Sequence, residues 1–312
     1  MRGQVHPGRW SVACLLFLLA ACGGMPSPDL AIGDALPRYA ELTGVAFFPQ
    51  QDHQCGPSAL ATVLGAGGVP RTPDQLASAV YLPERKGSLQ FELLAATRRA
   101  GLLPYPLAPR LSAVITEIAA GHPVLVLQKQ GWASLADWHY AVVIGYDLTE
   151  NKVILRSGRE ARLTLSIDDF DRSWAGAGRW AFVALPADQI PATASEVRYI
   201  RAAVALEAVA PLAAARAYQT ALQRWPGNLP ARIGIGNAAY RRHDLAAAEA
   251  AYRQATIDHP ESADAWNNLA QTLHETGRPV LAQSAAEQAV ALGGARATVY
   301  AATLAAIRES QY

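Results

Sequence analysis

The sequence has few cysteines and almost no net charge, and both shortages restrict what the protein can be. Three cysteines in 312 residues are too few for a small disulfide scaffold. Lys and Arg number 27 against 26 Asp and Glu, which leaves a formal net charge of +1. This balance gives no indication of binding to nucleic acid or to a strongly acidic partner. A composition of 51% hydrophobic and 17% charged residues is typical of a globular chain, and the length suffices for two domains.

Two kinds of binding motif are also missing. There is no Gly-x-x-x-x-Gly-Lys-Ser/Thr stretch, so the chain has no P-loop for ATP-driven work. The seven histidines do not combine with cysteine at the spacing of metal ligands. We therefore expect no metal and no cofactor.

A long apolar run is absent as well, because the segment Val12 to Ala20 is too short for a retained membrane helix. Arg2 and Arg9 precede it, and Leu19-Ala20-Ala21-Cys22 ends it. The pattern resembles a bacterial lipoprotein signal, and the alternative is an ordinary secretory signal with an incidental Cys22. The resemblance implies a signal over residues 1–22, a lipidated Cys22 and a tether over 23–44. It also implies anchoring in the cell envelope, at the outer membrane facing the periplasm.

The remaining thiol belongs to Cys55, because Cys14 lies in the signal and Cys22 would carry the lipid. Cys55 stands before Gly56-Pro57, and Ser58 to Leu64 is typical of a buried helix. A cysteine at the positive end of a helix dipole favours the thiolate. The alternative is a structural, buried cysteine.

The periodicity predicts helices first and strands afterwards. Thr72-Pro73-Asp74-Gln75 is a capping box for a helix to Val80, and further helices are predicted from Ser88 to about Gly101 and over Leu111–Ala119. Phe47-Phe48-Pro49 is predicted as a short strand or extended segment. The later apolar, β-branched runs predict strands: 124–127, 139–146, 153–155, 162–165 and 180–185. This order indicates an α+β domain.

An internal repeat follows from about residue 195. Ala214, Ala248 and Ala282 lie 34 residues apart, and so do Tyr218 and Tyr252. The period and the small residues resemble tetratricopeptide repeats. We expect about three of them in an all-α domain over 195–312, where they would bind a protein partner.

Two segments together resemble the C39 peptidases, which are papain-like cysteine proteases. They are Gln50 to Leu60, with Cys-Gly-Pro-Ser-Ala-Leu, and His139 to Asp147, with a histidine-led strand before Gly-Tyr-Asp. The resemblance covers about residues 45 to 186. It implies a papain-like peptidase domain over 45–190, in which a helical part is followed by an antiparallel sheet.

The resemblance also implies the roles of individual residues. Because a thiol with a pKa near 8.5 needs a base, Cys55 is the expected nucleophile and His139 its base. The second oxyanion donor beside the Cys55 backbone N–H is Gln50, with Gln51 as the second choice. His53 is more typical of a loop residue.

The third catalytic position departs from the family pattern. The family has an aspartate after the strand that follows the histidine, and this chain has Ser157 there. A serine hydroxyl can hold the imidazole in one tautomer, but it has no negative charge with which to stabilise an imidazolium. Asp147 is expected in the hairpin turn, while Asp137 would share a strand face with His139.

These residues predict a lipid-anchored cysteine peptidase that cleaves protein or peptide substrates. A catalytically weak pseudo-peptidase that binds peptides is the alternative to which Ser157 points. A Cys-dependent acyl or amide transferase is equally compatible, since both reactions pass through a thioester. An adaptor that acts through the repeats alone would leave Cys55 unexplained.

Overall fold

The computed structural model describes residues 36–50, 54–131 and 137–310. The predicted signal, Cys22, most of the tether, Gln51 and His53 lie outside these ranges. The part that is described contains an antiparallel sheet with helices on both faces, followed by a run of helices. The predicted order of helices and then antiparallel sheet is confirmed. None of the described helices is both long enough and apolar enough to span a bilayer.

The described strands form one large sheet and one small hairpin. The large sheet has the order β4-β9-β5-β6-β7-β8, with β1 beside the C-terminal half of β6, and β2 pairs with β3. All these pairs are antiparallel. The strands are β1 Tyr39–Glu41, β2 Tyr81–Leu82, β3 Gly87–Ser88, β4 Leu103–Pro106, β5 Val124–Gln130, β6 Asp137–Asp147, β7 Lys152–Ser157, β8 Glu160–Ser166 and β9 Ala181–Leu185.

Five helices accompany the sheet in the described ranges: α1 Cys55–Ala66, α2 Pro73–Val80, α3 Gln90–Arg99, α4 Leu111–Ala119 and α5 Ile167–Ala175. The capping box of α2 is present, since Thr72 Oγ1 accepts from the Gln75 N–H and the Gln75 side chain accepts from the Thr72 N–H. Helix α3 begins two residues later than the prediction from Ser88. The reason is that Gly87 and Ser88 pair with β2.

Strand β1 lies inside the segment 23–44 that the sequence assigned to a tether. Tyr39, Ala40 and Glu41 pair with the end of β6. Gly145 permits this approach, because a Cβ at that position would lie 2.8 Å from the Ala40 carbonyl oxygen. The tether boundary at residue 44 was therefore wrong, and the sheet domain starts before residue 45.

Alternate residues of the central strands supply two separate cores, as a sheet covered on both faces requires. On β5, Leu125 and Leu127 pack in the core that contains α1, α2 and α3. Val124 and Val126 pack in the core that contains α4 and α5. Helix α1, with Cys55 at its first residue, is therefore fixed against one face of the sheet.

The run of helices has the predicted repeat architecture. It consists of α6 Glu196–Val204, α7 Pro211–Arg224, α8 Leu229–Arg241, α9 Leu245–Asp258, α10 Ala263–Glu275, α11 Pro279–Leu292 and α12 Ala297–Glu309. Helices α6 to α11 pair consecutively into three units, and α12 packs against α11. The alanines that recur at a 34-residue period, Ala214, Ala248 and Ala282, are buried in α7, α9 and α11.

The first repeat shares its core with the sheet. Tyr199 and Ala203 of α6, and Leu206 just after this helix, belong to the same buried cluster as Leu103 and Tyr105 of β4. The sheet domain and the first repeat are therefore one packed unit.

A buried carboxylate fixes the segment that connects the two parts. Glu117 of α4 is fully buried. It accepts hydrogen bonds from the Thr193 N–H at 2.7 Å, the Thr193 hydroxyl at 2.6 Å and the Ala192 N–H at 3.2 Å. His122 Nδ1 lies 2.7 Å from the same carboxylate. The connection is therefore held to the sheet domain by side-chain contacts.

Glu117→Ala is expected to lower the free energy of unfolding by roughly 3 kcal/mol, because it leaves the Thr193 and Ala192 donors without an acceptor. Chemical denaturation measures the change. Replacement of the exposed Glu309 of α12 by alanine is the control and should change stability little. Equal stability of Glu117→Ala and the control would show that the carboxylate does not secure the connection.

Candidate active site

Cys55 is placed by a helix that is buried almost throughout. It is the first residue of α1, and the residues from Gly56 to Leu64 are buried. No side chain caps the helix N-terminus, so the Cys55 backbone N–H is among the donors that have no partner within the helix. Gly56 is needed next to it, because a Cβ there would collide with the side chain of Ser88.

His139 lies on β6, and its ring nitrogen Nε2 is 2.9 Å from the Ser157 hydroxyl at the end of β7. Ser157 is 5% exposed, so water competes little for this bond. When Ser157 accepts from Nε2–H, the imidazole Nδ1 carries the lone pair that can take a proton. The structure thus places Ser157 beside the ring of His139, the position that the sequence predicts for it.

Tyr140 connects the histidine strand to the pocket that holds the sulfur. It directly follows His139 in β6 and lines the same pocket as Cys55, and its backbone N–H lowers the pKa of the Cys55 thiol. The neighbour of the strand-borne histidine therefore lies in the pocket of the helix-borne cysteine.

Gln50 contacts both Gly158 and Tyr140. Its backbone N–H donates to the Gly158 carbonyl at 2.9 Å, next to Ser157. Its side-chain Nε2 donates to the Tyr140 carbonyl at 3.3 Å. The second N–H of this amide is left for another acceptor. Gln51, the second choice for the oxyanion donor, lies outside the described residues.

The pKa shifts of Cys55 and His139 oppose the thiolate that the helix dipole predicts. Burial raises the pKa of the Cys55 thiol, and the negative charge of Asp137 adds to the increase. Backbone N–H groups of Tyr140 and Gly56 lower the pKa of the thiol without cancelling the effect of burial. Burial also lowers the pKa of His139, and Asp137 opposes that change. Burial thus favours a neutral thiol and a neutral imidazole in the free site, whereas the helix dipole alone favours the thiolate.

Alkylation of Cys55 by iodoacetamide should accordingly be slow at pH 7 and increase with pH through a value above about 8.5, the ordinary pKa of a thiol. Asp137→Asn should shift this inflection to lower pH, because it removes a charge that raises the pKa of the thiol. The measurement is the alkylation rate as a function of pH, with the exposed Asp168 changed to asparagine as the control. An inflection below pH 8 in the unmodified protein would contradict the influence of burial.

The two carboxylates considered as substitutes for a catalytic aspartate have different positions. Asp147 accepts hydrogen bonds from the N–H groups of Thr149 and Glu150 at 2.9 Å, so it stabilises the hairpin turn. Asp137 lines the same pocket as Cys55 and acts on the pKa of both Cys55 and His139.

This pocket has a volume of about 380 Å³ and includes residues that the sequence did not single out. Trp138, which is 53% exposed, lines it. Arg85 and Lys86, in the turn between β2 and β3, line it as well. A signal for this hairpin was present, since Tyr-Leu-Pro-Glu-Arg-Lys-Gly-Ser combines an apolar pair with Pro and Gly. In the described ranges no cluster of three or more His, Cys, Asp or Glu side chains is arranged to hold a metal ion.

The first part of the chain combines helices with an antiparallel sheet, and it carries Cys55 at the first residue of α1 and His139 on β6. Residues 42–181 match the model of the Peptidase_C39 like family, and residues 233–298 match a tetratricopeptide repeat model. The chain therefore carries a C39-like peptidase domain followed by tetratricopeptide repeats.

Two solved structures are similar to the first part of the chain. A C39-like peptidase from Bacillus anthracis shares 16% identity over 47% of this chain and 97% of that chain, with a TM-score of 0.40. The peptidase domain of Streptococcus ComA, a bi-functional ABC transporter involved in a quorum-sensing pathway, shares 19% identity. It covers 46% of this chain and 98% of that chain, with a TM-score of 0.38. No curated protein matches the sequence.

Proposed function

We propose that this protein is a cysteine peptidase of the cell envelope that hydrolyses peptide bonds through a thioester on Cys55. The observation that carries the proposal is the placement of these residues at the start of α1. Cys55 lines a pocket together with Tyr140, and the adjacent His139 lies 2.9 Å from the Ser157 hydroxyl. A nucleophile, a base and a group that orients the base are the parts that such a reaction needs.

The reaction has two balanced steps. In the first, Cys55 sulfur attacks the peptide carbonyl, His139 takes the thiol proton, and the proton passes to the leaving amine as the C–N bond breaks. In the second, water attacks the thioester, His139 takes a proton from the water, and this proton returns to sulfur as the acid leaves. The Cys55 backbone N–H and the Gln50 amide are the proposed donors to the oxyanion in both steps.

The proposal also covers where the protein is anchored and what its repeats bind. A lipid on Cys22 would hold the protein at the outer membrane, facing the periplasm, since each buried CH₂ contributes roughly 0.8 kcal/mol. The repeats would bind a protein partner or the substrate itself, because stacked helical repeats present an extended binding surface. The lipoprotein-like pattern before Cys22 supports the first role, and the repeat architecture supports the second.

A comparison of protein termini in cell envelopes tests the proposal in the organism. Cells that carry Cys55→Ala should accumulate uncleaved forms of proteins whose shortened forms occur in the wild type. A Cys22→Ala strain separates location from chemistry, because it keeps the thiol and loses the lipid site. Identical sets of termini in wild-type and Cys55→Ala cells would count against a peptidase.

A second candidate function is peptide binding without efficient cleavage. Two observations favour it: Ser157 provides no charge for an imidazolium, and burial shifts the pKa values of Cys55 and His139 toward the neutral pair. Purified protein that binds extended peptides, and shows no turnover that depends on Cys55, would decide for this alternative.

A further inference from the structure

The hairpin formed by β2 and β3 makes one wall of the pocket that contains Cys55. Tyr81 and Leu82 pair with Ser88 and Gly87, and the Tyr140 hydroxyl donates to the Ser88 carbonyl at 3.1 Å. The hairpin is thereby attached to β6 next to His139. Its turn presents two consecutive basic residues to the pocket.

These basic residues have no acidic partner in the described ranges. Arg85 and Lys86 are exposed, both line the pocket, and neither forms a salt bridge with a described residue. Positive charges that face a cleft without a partner attract an anionic ligand.

The same wall offers further donors. The Ser88 hydroxyl is buried, and it has no hydrogen-bond partner among the described residues. Gln90 also lines the pocket and begins α3, whose N-terminus has no side-chain cap. A buried hydroxyl without a partner is costly unless a ligand satisfies it. Hydroxyl, helix N-terminus and basic side chains all favour an anion here.

A negative charge also belongs to the pocket. Asp137 lines it together with Cys55, and the charge of Asp137 raises the pKa of the Cys55 thiol. The acidic residues next to the hairpin wall, Glu84 and Glu92, do not line the pocket. The pocket therefore combines the negative charge of Asp137 with positive charges on the hairpin.

We propose that the hairpin wall of Arg85, Lys86 and Ser88 is a carboxylate-binding subsite that selects the substrate. The inference rests on the proposed function and names its substrate class. Preferred peptides carry a carboxylate at this wall, either from an acidic side chain or from a free C-terminus. A guanidinium binds a carboxylate with two parallel hydrogen bonds, and about 380 Å³ falls within the size of small-ligand sites, roughly 300–1,000 Å³.

Labelling of Cys55 by peptidyl acyloxymethyl ketones tests the subsite without requiring turnover. The probes are acetylated tripeptides of alanine in which a single Glu or Gln occupies each position in turn. We expect the Glu probe to label about tenfold faster than the Gln probe at one position, as a charge-assisted hydrogen bond allows. A second assay asks whether the carboxylate is a free C-terminus. Alanine hexapeptides with a free or an amidated C-terminus are compared for their protection of Cys55 from iodoacetamide. Stronger protection by the free form identifies the terminal carboxylate as the group that is bound.

The double variant Arg85→Gln/Lys86→Gln should remove the preference and leave labelling by the neutral Gln probes unchanged. Arg99→Gln, which removes an exposed arginine far from the pocket lining, is the matched control and should keep the preference. In the unmodified protein the preference should also decrease with added salt.

Equal labelling by Glu and Gln probes at all three positions, with equal protection by both hexapeptides, would overturn the subsite. In that case the proposed function would remain intact. Failure of every probe to label Cys55 would instead overturn the reactive thiol, and the subsite with it.

Discussion

Cys55→Ala is expected to reduce peptide hydrolysis to background, a loss of about 10⁶ in kcat by analogy with removal of the nucleophile in other covalent hydrolases. The sulfur forms the covalent intermediate, and no second thiol is available in the part of the chain that the structure describes. The measurement is turnover of a fluorogenic peptide by purified protein, together with mass spectrometry of the trapped thioester.

His139→Ala provides the matched comparison for this loss. Because nucleophile and base act as one unit, the double variant should be no slower than either single variant. Alanine at position 55 should leave the fold unchanged, since Cys55 is only partly buried, and thermal unfolding checks this. Residual turnover within tenfold of the unmodified protein would exclude Cys55 as the nucleophile.

Ser157→Asp is expected to increase kcat by about 10 to 10²-fold, which is the second largest change in activity that we predict. In Ser-His-Asp enzymes the loss of the orienting carboxylate costs about 10⁴, and a cysteine enzyme should depend on it less. A carboxylate next to Nε2 of His139 would raise the pKa of the imidazole and stabilise the imidazolium that forms during attack. Since position 157 is 5% exposed, we also expect some loss of stability from the buried charge.

Ser157→Asn is the control, because asparagine has the size of aspartate without its charge and can still orient the ring. The pH dependence of kcat/KM separates the two variants: its acidic limb, set by the pKa of His139, should move to higher pH only in Ser157→Asp. Equal rates and equal limbs in both variants would show that charge at this position is unimportant.

The positions of Cys55 and His139 in the fold could be predicted because the information is local. Cys55, Gly56 and Pro57 are contiguous, and His139 begins a strand whose apolar residues follow without interruption. Ser157 could be placed because it ends the next strand of the same hairpin. Helix α4 has the bounds that its periodicity and the following Gly121-His122-Pro123 predict.

What the sequence did not reveal depends on distant contacts. Strand β1 has three residues and exists because Gly145 admits it beside β6. Strand β4 contains Pro104 and Pro106, residues that argue against a strand when only local sequence is considered. Helix α5, Ile167–Ala175, was missed although Ser166 caps it by accepting from the Asp169 N–H.

The direction of the pKa shift of Cys55 could not be predicted from the sequence either. The position of Cys55 at a helix N-terminus predicts a lowered thiol pKa, whereas the depth at which the sulfur lies raises it. Burial results from packing of α1 against β6 and the β2–β3 hairpin, which no single segment encodes.

The core that α6 shares with β4 has a thermodynamic consequence. Because Tyr199 and Leu206 complete the cluster that also contains Leu103 and Tyr105, the peptidase domain and the first repeat should unfold in one cooperative transition. Any partner that binds only the folded repeats then stabilises the pocket that contains Cys55 as well, by mass action. Occupancy of the repeats is thus linked to the lifetime of the folded pocket, without any change in its shape.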